Sequence, residues 1–246
     1  ILEEVTFHRA LILDAENNYV LQIEVDEHDH SFSISGTPEG DRASWTVHAT
    51  GNIVQGMIGE KTDVIDLDAI RERCLEPLDT EVQYRELENR GHEYGQEFRR
   101  AKQIWKGENE AFVEIDNTGF EDVYRLHPAL LDTAFQALIA PLDKRKMLDV
   151  YLPVSIERVQ FYGSPKTSVW THAVVTSHTA DFVTGDIVLC DENGTVSALI
   201  KGLSYQALPS ARNMFTERIE QSLYGFTWEA TDLASLIGDA DDDGAG

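Results

Sequence analysis

The sequence predicts an α+β fold made of two antiparallel sheets, with a central helix in the second half. Three observations predict it. Short strand-like segments recur at hairpin spacing over residues 1–58 and again over 150–208. One strongly apolar helical segment, 127–139, precedes the second set. Charged helical segments separate the two halves. With 246 residues, 42% of them hydrophobic, the chain can bury a substantial core.

Extended segments dominate the first half. Residues 5–7 and 11–13 are mostly apolar, and residues 19–25 nearly alternate apolar and polar side chains, as a half-buried strand does. Residues 32–35 and 45–51 follow after gaps rich in Gly, Asn, Asp and Pro, which form turns. The spacing therefore predicts an antiparallel sheet.

Two helices are predicted between the halves. Segment 66–75 has acidic residues at its start, basic residues in its last turn and Pro77 just beyond. Segment 80–90 predicts a second helix that Gly91 ends. Both segments are charged and amphipathic, so neither suits the centre of an apolar core. Residues 112–115 then resume a strand.

The second half begins with the best helical pattern in the chain. Helical spacing joins Leu131, Ala134, Phe135 and Leu138, and Pro128 suits a first turn. Short strand-like segments follow at residues 150–154, 159–162, 169–176, 182–190 and 195–203. A sheet wrapped around one central helix is a hot-dog arrangement. The first half has strands but no apolar helix, so its hot-dog is predicted to be incomplete.

The charge of the chain excludes several classes of partner. Lys and Arg number 20 against 44 Asp and Glu, which gives a formal net charge of −24. Such a chain repels phosphate backbones and anionic lipid, so we expect neither nucleic-acid nor membrane binding. No apolar run approaches the roughly 18 residues of a membrane span, and no signal peptide opens the chain. We therefore expect a cytoplasmic protein, and the absence of an initial Met predicts a piece of a longer polypeptide.

Cysteine and histidine spacing does not predict a metal site. Cys74 and Cys190 lie far apart in sequence and fit neither a disulfide framework nor a metal knuckle. The run His28-Asp29-His30 lies among acidic residues between two predicted strands. A solvated turn is the expected structure there.

The clearest chemical signal comes from Asp132 and Gln136. They are four residues apart, and hence on one face of the predicted helix. Burial beside a sheet would raise the pKa of the Asp132 carboxyl, and the helix dipole would lower it. If burial prevails, Asp132 holds a proton near neutrality and can act as a general acid, with Gln136 fixing its rotamer. A purely structural role, in which Asp132 supports its helix, stays open at this point.

The stretch that contains this pair resembles a known motif. Residues 127–136, His-Pro-Ala-Leu-Leu-Asp-Thr-Ala-Phe-Gln, look like the second active-site motif of dehydratase domains in modular polyketide synthases, which are double hot-dogs. Four further segments agree with that family in order and spacing: residues 2–5, 45–51, 91–98 and 152–156.

The resemblance covers residues 1–208 and implies a domain division. Residues 1–105 correspond to the first hot-dog, truncated at its N-terminus, with the connecting helices. Residues 106–208 correspond to the second hot-dog. Residues 209–246 correspond to a linker and the start of a ketoreductase-type region, which 223–228 resembles.

The resemblance implies loss of water from a β-hydroxyacyl chain, carried on the phosphopantetheine arm of an acyl carrier protein. In the family a His of the first hot-dog takes the α-proton. The Asp of the second, here Asp132, protonates the departing hydroxyl, and Gln136 matches the orienting residue. The implied substrate-binding residues are Tyr94, Gly95, His127, Pro128, Leu152 and Pro153. Neither a metal nor a diffusible cofactor is implied, because the thioester already acidifies the α-carbon.

The chain departs from the family at the catalytic His. That residue belongs to an HxxxGxxxxP motif upstream of the first hot-dog helix, and none of the eight His residues here has this spacing. Gln96 stands where the family usually has Pro, and Val154 and Ile156 replace two aromatic residues. We therefore expect the 246-residue chain alone to be inactive.

Three interpretations stay open. The chain is a fragment of an active dehydratase, a non-catalytic pseudo-dehydratase kept as a structural or docking element, or a relative that shifts double bonds or closes rings. The expected partners are an acyl carrier protein and neighbouring synthase domains. Residues 19–25 and 45–51 present apolar faces that need a cover. An upstream domain is the expected cover, with a homodimer or a rearranged helix from residues 66–90 as alternatives.

Overall fold

The computed structural model describes residues 1–13, 18–40, 44–54, 63–89, 92, 94–119, 124–142, 150–164 and 168–208. The predicted linker at 209–246 and the strand-like stretch at 223–228 lie outside the described residues, as does Gly91. In the described ranges eleven strands form: β1 (Leu2–Phe7), β2 (Tyr19–Asp26), β3 (Ser31–Pro38), β4 (Thr46–Ile53), β5 (Glu76–Leu78), β6 (Ala101–Lys106), β7 (Glu110–Asp116), β8 (Val150–Phe161), β9 (Ser168–His178), β10 (Phe182–Cys190) and β11 (Val196–Leu208). The helices are α1 (Leu67–Arg73), α2 (Thr80–Asn89) and α3 (Pro128–Ile139), with a short 3-10 turn at Gln96–Phe98.

All eleven strands belong to one antiparallel sheet. Their order is β2-β3-β4-β1-β8-β11-β10-β9-β7-β6-β5. The two predicted sheets are therefore joined edge to edge, along β1 and β8, where Val5 pairs with Ile156 and Leu2 with Val159. The double hot-dog prediction is confirmed, and the join makes the two halves continuous.

The two halves repeat the same strand order. The first half reads β2-β3-β4-β1, and the second reads β9-β10-β11-β8. In the second half β7 pairs with the outer side of β9, and α3 packs against β7, β9 and β10. In the first half β2 is the last strand of the described sheet, and all its residues after Tyr19 are exposed. Ile23, for example, is 68% exposed.

Local sequence explains why α3 begins where it does. His127 is the N-cap, and its Nδ1 accepts a hydrogen bond of 3.1 Å from the Ala129 N–H. Pro128 follows in the first turn, where it needs no hydrogen-bond partner. The predicted helix at 127–139 is thus confirmed. Leu130 and Leu138 are fully buried against the sheet.

Strand β10 and helix α3 approach each other closely at Gly185. A Cβ at Gly185 of β10 would lie 2.4 Å from Leu138 Cδ1 and 2.2 Å from the Val174 carbonyl oxygen. Only glycine fits this position without displacing backbone. The core that results contains residues from α3 and from both halves of the sheet.

Helix α1 covers a smaller cluster of buried residues, formed by Leu67, Ile70, Cys74, Phe112 and Cys190. The predicted segment 66–75 is confirmed, with Asp66 as its N-cap. Among the described helices, none combines the length and apolar character needed to span a bilayer.

An ion pair ties α1 to the sheet. The Arg73 guanidinium donates two hydrogen bonds, of 2.8 and 3.1 Å, to the Glu110 carboxylate of β7. His172 Nε2 on β9 lies 2.7 Å from the same carboxylate. These contacts join a helix and two strands through one carboxylate.

One sequence prediction is corrected: residues 11–13 do not form a strand. A domain boundary after residue 105 falls inside β6, which pairs with both β5 and β7, and the division of the chain into domains stays a prediction. The predicted turn at His28-Asp29-His30 does form, with Asp26 Oδ1 accepting from the His28 N–H at 2.8 Å.

Candidate active site

Asp132 and Gln136 meet on α3 as the sequence predicts. The Gln136 side-chain amide donates a hydrogen bond of 2.7 Å to Asp132 Oδ2. Burial raises the pKa of the Asp132 carboxyl, and the hydrogen bond from Gln136 opposes part of that rise. Burial therefore prevails, which is the condition for Asp132 to hold a proton at a higher pH than an exposed Asp.

The 3-10 turn at Gln96–Phe98 packs over this pair. The Phe98 carbonyl oxygen accepts from Gln136 Nε2 at 3.4 Å and from Thr133 Oγ1 at 3.5 Å. Gln136 thus donates to the carboxylate and to a backbone carbonyl at once, which sets the orientation of its amide. The turn thereby fixes the side chain that holds Asp132.

The charge of Asp132 acts on three tyrosines from different elements: Tyr84 on α2, Tyr94 before the 3-10 turn and Tyr205 on β11. Burial is the main cause that raises the pKa of each phenol, and the charge of Asp132 raises it further. Tyr84 and Tyr94 also touch edge to face, with ring centres 6.3 Å apart. All three phenols stay protonated at neutral pH and can donate hydrogen bonds.

The segment around Tyr94 is held from two sides. The His92 ring stacks on the Tyr94 ring at 5.9 Å, and Arg99 Nε donates 2.9 Å to the Tyr94 carbonyl. Gly95 follows in an extended conformation and is exposed. Apart from its chain neighbours, no atom of the described residues lies within 4 Å of the place that a Cβ would take, so the surface there is open to solvent.

The structure separates the other predicted binding residues into two groups. His127 and Pro128 start α3, and the His127 side chain serves as its cap. Leu152 and Pro153 line an apolar groove of about 360 Å³, together with residues of the first half such as Leu21 and others of β1, β3 and β4. Asp132 does not line that groove. The structure thus places the 3-10 turn that follows Tyr94 against the helix of Asp132 and Gln136, and it places Leu152 and Pro153 towards the first half.

Sequence reasoning missed Tyr84 and Tyr205. Tyr84 lies in a charged helix that predicted no part of the site. Tyr205 lies on a strand in which no motif was recognised. Both phenols lie on elements far from α3 in sequence, so sequence spacing contained no signal for them.

Comparison with known families identifies the arrangement. A family model described as the polyketide synthase dehydratase N-terminal domain matches residues 63–214, more than half of the chain. The chain belongs to the polyketide synthase dehydratase family. Within this dehydratase family, the matched segment contains the whole cluster of Asp132, Gln136 and the three tyrosines.

Relatives of this dehydratase chain are large synthases. It is 25% identical over 263 residues to polyketide synthase PksM of Bacillus subtilis (strain 168). The aligned region covers 96% of the chain and 6% of that synthase. Polyketide synthase PksL of the same organism is 29% identical over 217 residues, or 81% of the chain and 5% of that synthase. The dehydratase chain thus spans a small part of the length of these multidomain relatives.

Solved dehydratase domains share the fold. The dehydratase domain from the CurK module of the curacin polyketide synthase is 31% identical, with a TM-score of 0.73 over 85% of this chain and 74% of that domain. The CurF counterpart is 27% identical, with a TM-score of 0.72 over 84% and 75%. His→Phe and Asp→Asn variants of the CurK dehydratase, also solved, are inactive.

Proposed function

We propose that this chain is the acid-bearing part of a dehydratase domain that removes water from β-hydroxyacyl thioesters within a polyketide synthase. The observation that carries the proposal is the Asp132 carboxyl, half-buried on an apolar helix and held by Gln136 at 2.7 Å. A carboxyl with a raised pKa is the group needed to protonate a departing hydroxyl.

The reaction needs a base at the α-carbon and an acid at the oxygen on the neighbouring β-carbon. A base removes the proton from the α-carbon, and its electron pair forms the new double bond. The bond between the β-carbon and oxygen breaks, and the proton of Asp132 passes to that oxygen, so water leaves and an enoyl thioester remains. The base then returns its proton to the Asp132 carboxylate through solvent, which restores the starting state.

The proposed base is a His supplied by the part of the synthase that completes the first half of the fold. Two observations support this. The second half has a strand and a helix, β7 and α3, that the described first half lacks, while β2 is exposed at the corresponding edge. The inactive His→Phe variant of the CurK dehydratase supports the need for a His in that relative. An upstream domain is the proposed cover, and a second copy of the chain is the alternative.

The substrate is proposed to arrive on the phosphopantetheine arm of an acyl carrier protein. The proposed entry of the acyl chain is the exposed surface at Gly95, next to the fixed Tyr94 ring, where a Cβ would meet no described atom beyond its chain neighbours. No metal or diffusible cofactor is proposed, because the thioester acidifies the α-proton. The proposed setting is the cytoplasm, with the acyl carrier protein and the neighbouring synthase domains as partners.

The test uses the complete synthase polypeptide that contains this chain, loaded with a β-hydroxyacyl carrier-protein thioester. Loss of one water is followed by mass spectrometry. Asp132→Asn is expected to lower the rate at least about a hundredfold, the scale of a lost general acid. Glu157→Gln, an acid of β8 outside the Asp132 cluster, is the control and should react like the wild type.

The outcomes separate the proposal from its alternatives. Unchanged turnover in Asp132→Asn removes Asp132 from the mechanism. No turnover by the wild type in the complete polypeptide supports a pseudo-dehydratase instead. A product whose double bond has moved, or whose ring has closed, without net loss of water supports the third interpretation. The 246-residue chain alone should show no turnover, since half of the acid–base pair is absent.

A further inference from the structure

Two consecutive arginines follow the 3-10 turn that packs over Asp132 and Gln136. Arg99 and Arg100 lie just beyond the motif at residues 91–98, and the sequence predicted no role for them. Their side chains contact different elements of the fold. Arg99 contacts α2, whereas Arg100 contacts the chain just beyond β7.

Arg99 joins the turn to helix α2. Its Nε donates a hydrogen bond of 2.9 Å to the carbonyl oxygen of Tyr94, which lies just before the turn. The guanidinium carbon lies 5.5 Å from the centre of the Tyr84 ring, and Nη2 lies 3.8 Å from the Glu88 carboxylate. Tyr84 and Glu88 both belong to α2, so one side chain links the start of the turn to that helix.

Arg100 joins the turn to the end of β7. Its Nε donates to the Glu97 carbonyl oxygen at 3.2 Å, and Nη2 donates to the Glu97 carboxylate at 2.7 Å. Nη1 donates to the carbonyl oxygen of Thr118, two residues beyond β7, at 3.3 Å. The Arg100 side chain is only 17% exposed, so water competes little for these contacts. The planar guanidinium thus fixes the turn against a neighbouring segment.

The Phe98 carbonyl is the part of the turn that meets helix α3. It accepts hydrogen bonds from Gln136 Nε2 at 3.4 Å and from Thr133 Oγ1 at 3.5 Å. Both distances lie near the upper limit for a hydrogen bond, so a shift of the turn by roughly 0.5 Å away from α3 would break them. The Gln136 amide would then lose one of its two anchors, and its hydrogen bond to Asp132 would be less well fixed.

We propose that Arg99 and Arg100 are positioning residues, which together hold the 3-10 turn so that its last carbonyl orients Gln136 against the acid. This inference rests on the proposed dehydration with Asp132 as the acid. Burial and the hydrogen bond from Gln136 are the causes that shift the pKa of Asp132, so the arginines act on the acid through the glutamine.

The test is a double-mutant cycle in the complete synthase polypeptide, loaded with a β-hydroxyacyl carrier-protein thioester. Arg99→Ala and Arg100→Ala are each made in the wild type and in the Gln136→Ala background. Loss of water gives kcat, and the pH dependence of kcat/KM gives the alkaline limb, which reports the acid. The phenols on which Asp132 acts have pKa values above their ordinary 10, so this limb reports the carboxyl.

The expected result is an effect that depends on Gln136. Each arginine variant alone should lower kcat about three- to tenfold and move the alkaline limb to higher pH, because a weakened bond from Gln136 raises the pKa of Asp132. In the Gln136→Ala background, the same substitutions should lower kcat by less than about twofold and should not move the limb further, since residues of one network do not add.

Arg71→Ala is the matched control. The Arg71 guanidinium also lies over an aromatic ring, 5.0 Å from the centre of the Trp170 ring. It also pairs with an acidic side chain three residues earlier, Asp68, at 2.9 Å. Arg71 lies on α1, whose buried residues form a separate cluster of the core. Its removal should leave kcat and the alkaline limb as in the wild type.

Two further variants separate the holding of the turn from charge and stability. Arg100→Lys keeps the charge and serves where an alanine variant fails to fold. It lacks the fork that reaches the Glu97 and Thr118 carbonyls together, so kcat should still fall. Adding Gln96→Pro should restore kcat to within about twofold of the wild type, because proline fixes φ at the first position of the turn. Gly95, with φ −66° and ψ 164°, already has the conformation that a residue before proline adopts.

Other results overturn the inference. If the losses of the arginine and Gln136→Ala variants multiply, the arginines support the fold independently of Gln136. Wild-type kcat with an unmoved limb in both arginine variants, or no rescue by Gln96→Pro, also contradicts the inference. If Asp132→Asn loses activity in the same assay, these outcomes refute the arginine inference alone. If the wild type does not turn over, or Asp132→Asn keeps its activity, the proposed dehydration fails and the inference fails with it.

Discussion

Gln136 donates its hydrogen bond to the Asp132 carboxylate from one helical turn further along α3, at 2.7 Å. The same amide nitrogen reaches the Phe98 carbonyl at 3.4 Å. A carboxyl on one helix is thus oriented by a side chain that a separate turn of the chain holds in place.

Gln136→Ala should move the pH dependence of turnover upwards. The hydrogen bond from Gln136 lowers the pKa of Asp132 against the larger effect of burial, so its removal raises that pKa further. An acid must be protonated to act, and its activity is lost above its pKa. The alkaline limb of kcat/KM against pH should shift to higher pH, and kcat should fall about tenfold because the carboxyl loses its orientation. Gln160→Ala on β8 is the control, and an unmoved limb contradicts the role of Gln136.

Gly95→Ala should impair activity without affecting stability. Gly95 has φ −66°, which any residue adopts, and nothing lies within 4 Å of the added Cβ. The free energy of unfolding, measured in urea, should stay within about 0.5 kcal/mol of the wild type. If the open space beside Gly95 is the acyl path, the methyl group raises KM for the carrier-protein thioester. Wild-type KM in this variant would remove Gly95 from the substrate path.

Gly185→Ala should destabilise the fold. Its Cβ would lie 2.2 Å from the Val174 carbonyl oxygen and 2.4 Å from Leu138 Cδ1, and backbone cannot move aside cheaply. We expect a loss of about 1–3 kcal/mol in urea unfolding. Gly163→Ala is the matched control, since no atom lies within 4 Å of that Cβ and its stability should not change. Equal stability of the two variants would mean that α3 lies further from β10.

Acid should weaken the attachment of α1 to the sheet. Hydrogen bonding from Arg73 is the main cause that lowers the pKa of Glu110 below its ordinary 4.5, and burial lowers the pKa of His172 below 6.5. In both cases the folded state binds fewer protons than the unfolded state. Stability is therefore fully present above the unfolded pKa values and is lost as pH falls, first below about 6.5 for His172 and then below about 4.5 for Glu110.

Glu110→Gln tests this linkage. The variant should lose about 1–2 kcal/mol of unfolding free energy at neutral pH, because the charged hydrogen bonds to Arg73 are removed. Its stability should also fall less steeply than that of the wild type below about pH 4.5. Glu76→Gln is the control, because Glu76 is exposed in its ion pair with Lys106. This variant should change the free energy of unfolding little. Parallel pH curves for wild type and Glu110→Gln would refute the linkage.

Hydrogen exchange rates should differ between the two halves of the isolated chain. Strand β2 is an exposed edge, whereas β10 lies inside the sheet and is buried under α3. Amides of residues 19–26 should exchange fast and those of residues 182–190 slowly. In the complete synthase polypeptide, β2 should become protected if another part of the synthase covers it. Slow exchange of β2 in the isolated monomer would show that the chain completes its own first core.

Helix α3 and the pair that it presents could be predicted from the sequence because both depend on short-range geometry. Pro128 and the apolar spacing define the start and the buried face of the helix. The separation of Asp132 and Gln136 by four residues places them on one side of it. The sequence also predicted an incomplete first half, because no apolar helical segment accompanies its strand-like segments. These inferences need only the periodicity of the chain itself.

Only the tertiary structure shows which elements distant in sequence lie next to each other. The join of β1 to β8 makes one sheet from two, and β6 pairs with β7 across the predicted boundary. The charge of Asp132 acts on Tyr84 and Tyr205, which lie on elements about 50 and 70 residues away in sequence. Neither residue has a periodic relation to Asp132, because contacts between distant elements depend on how strands pair and helices pack. Local spacing determined the Asp132–Gln136 pair, and long-range packing decided the environment of that pair.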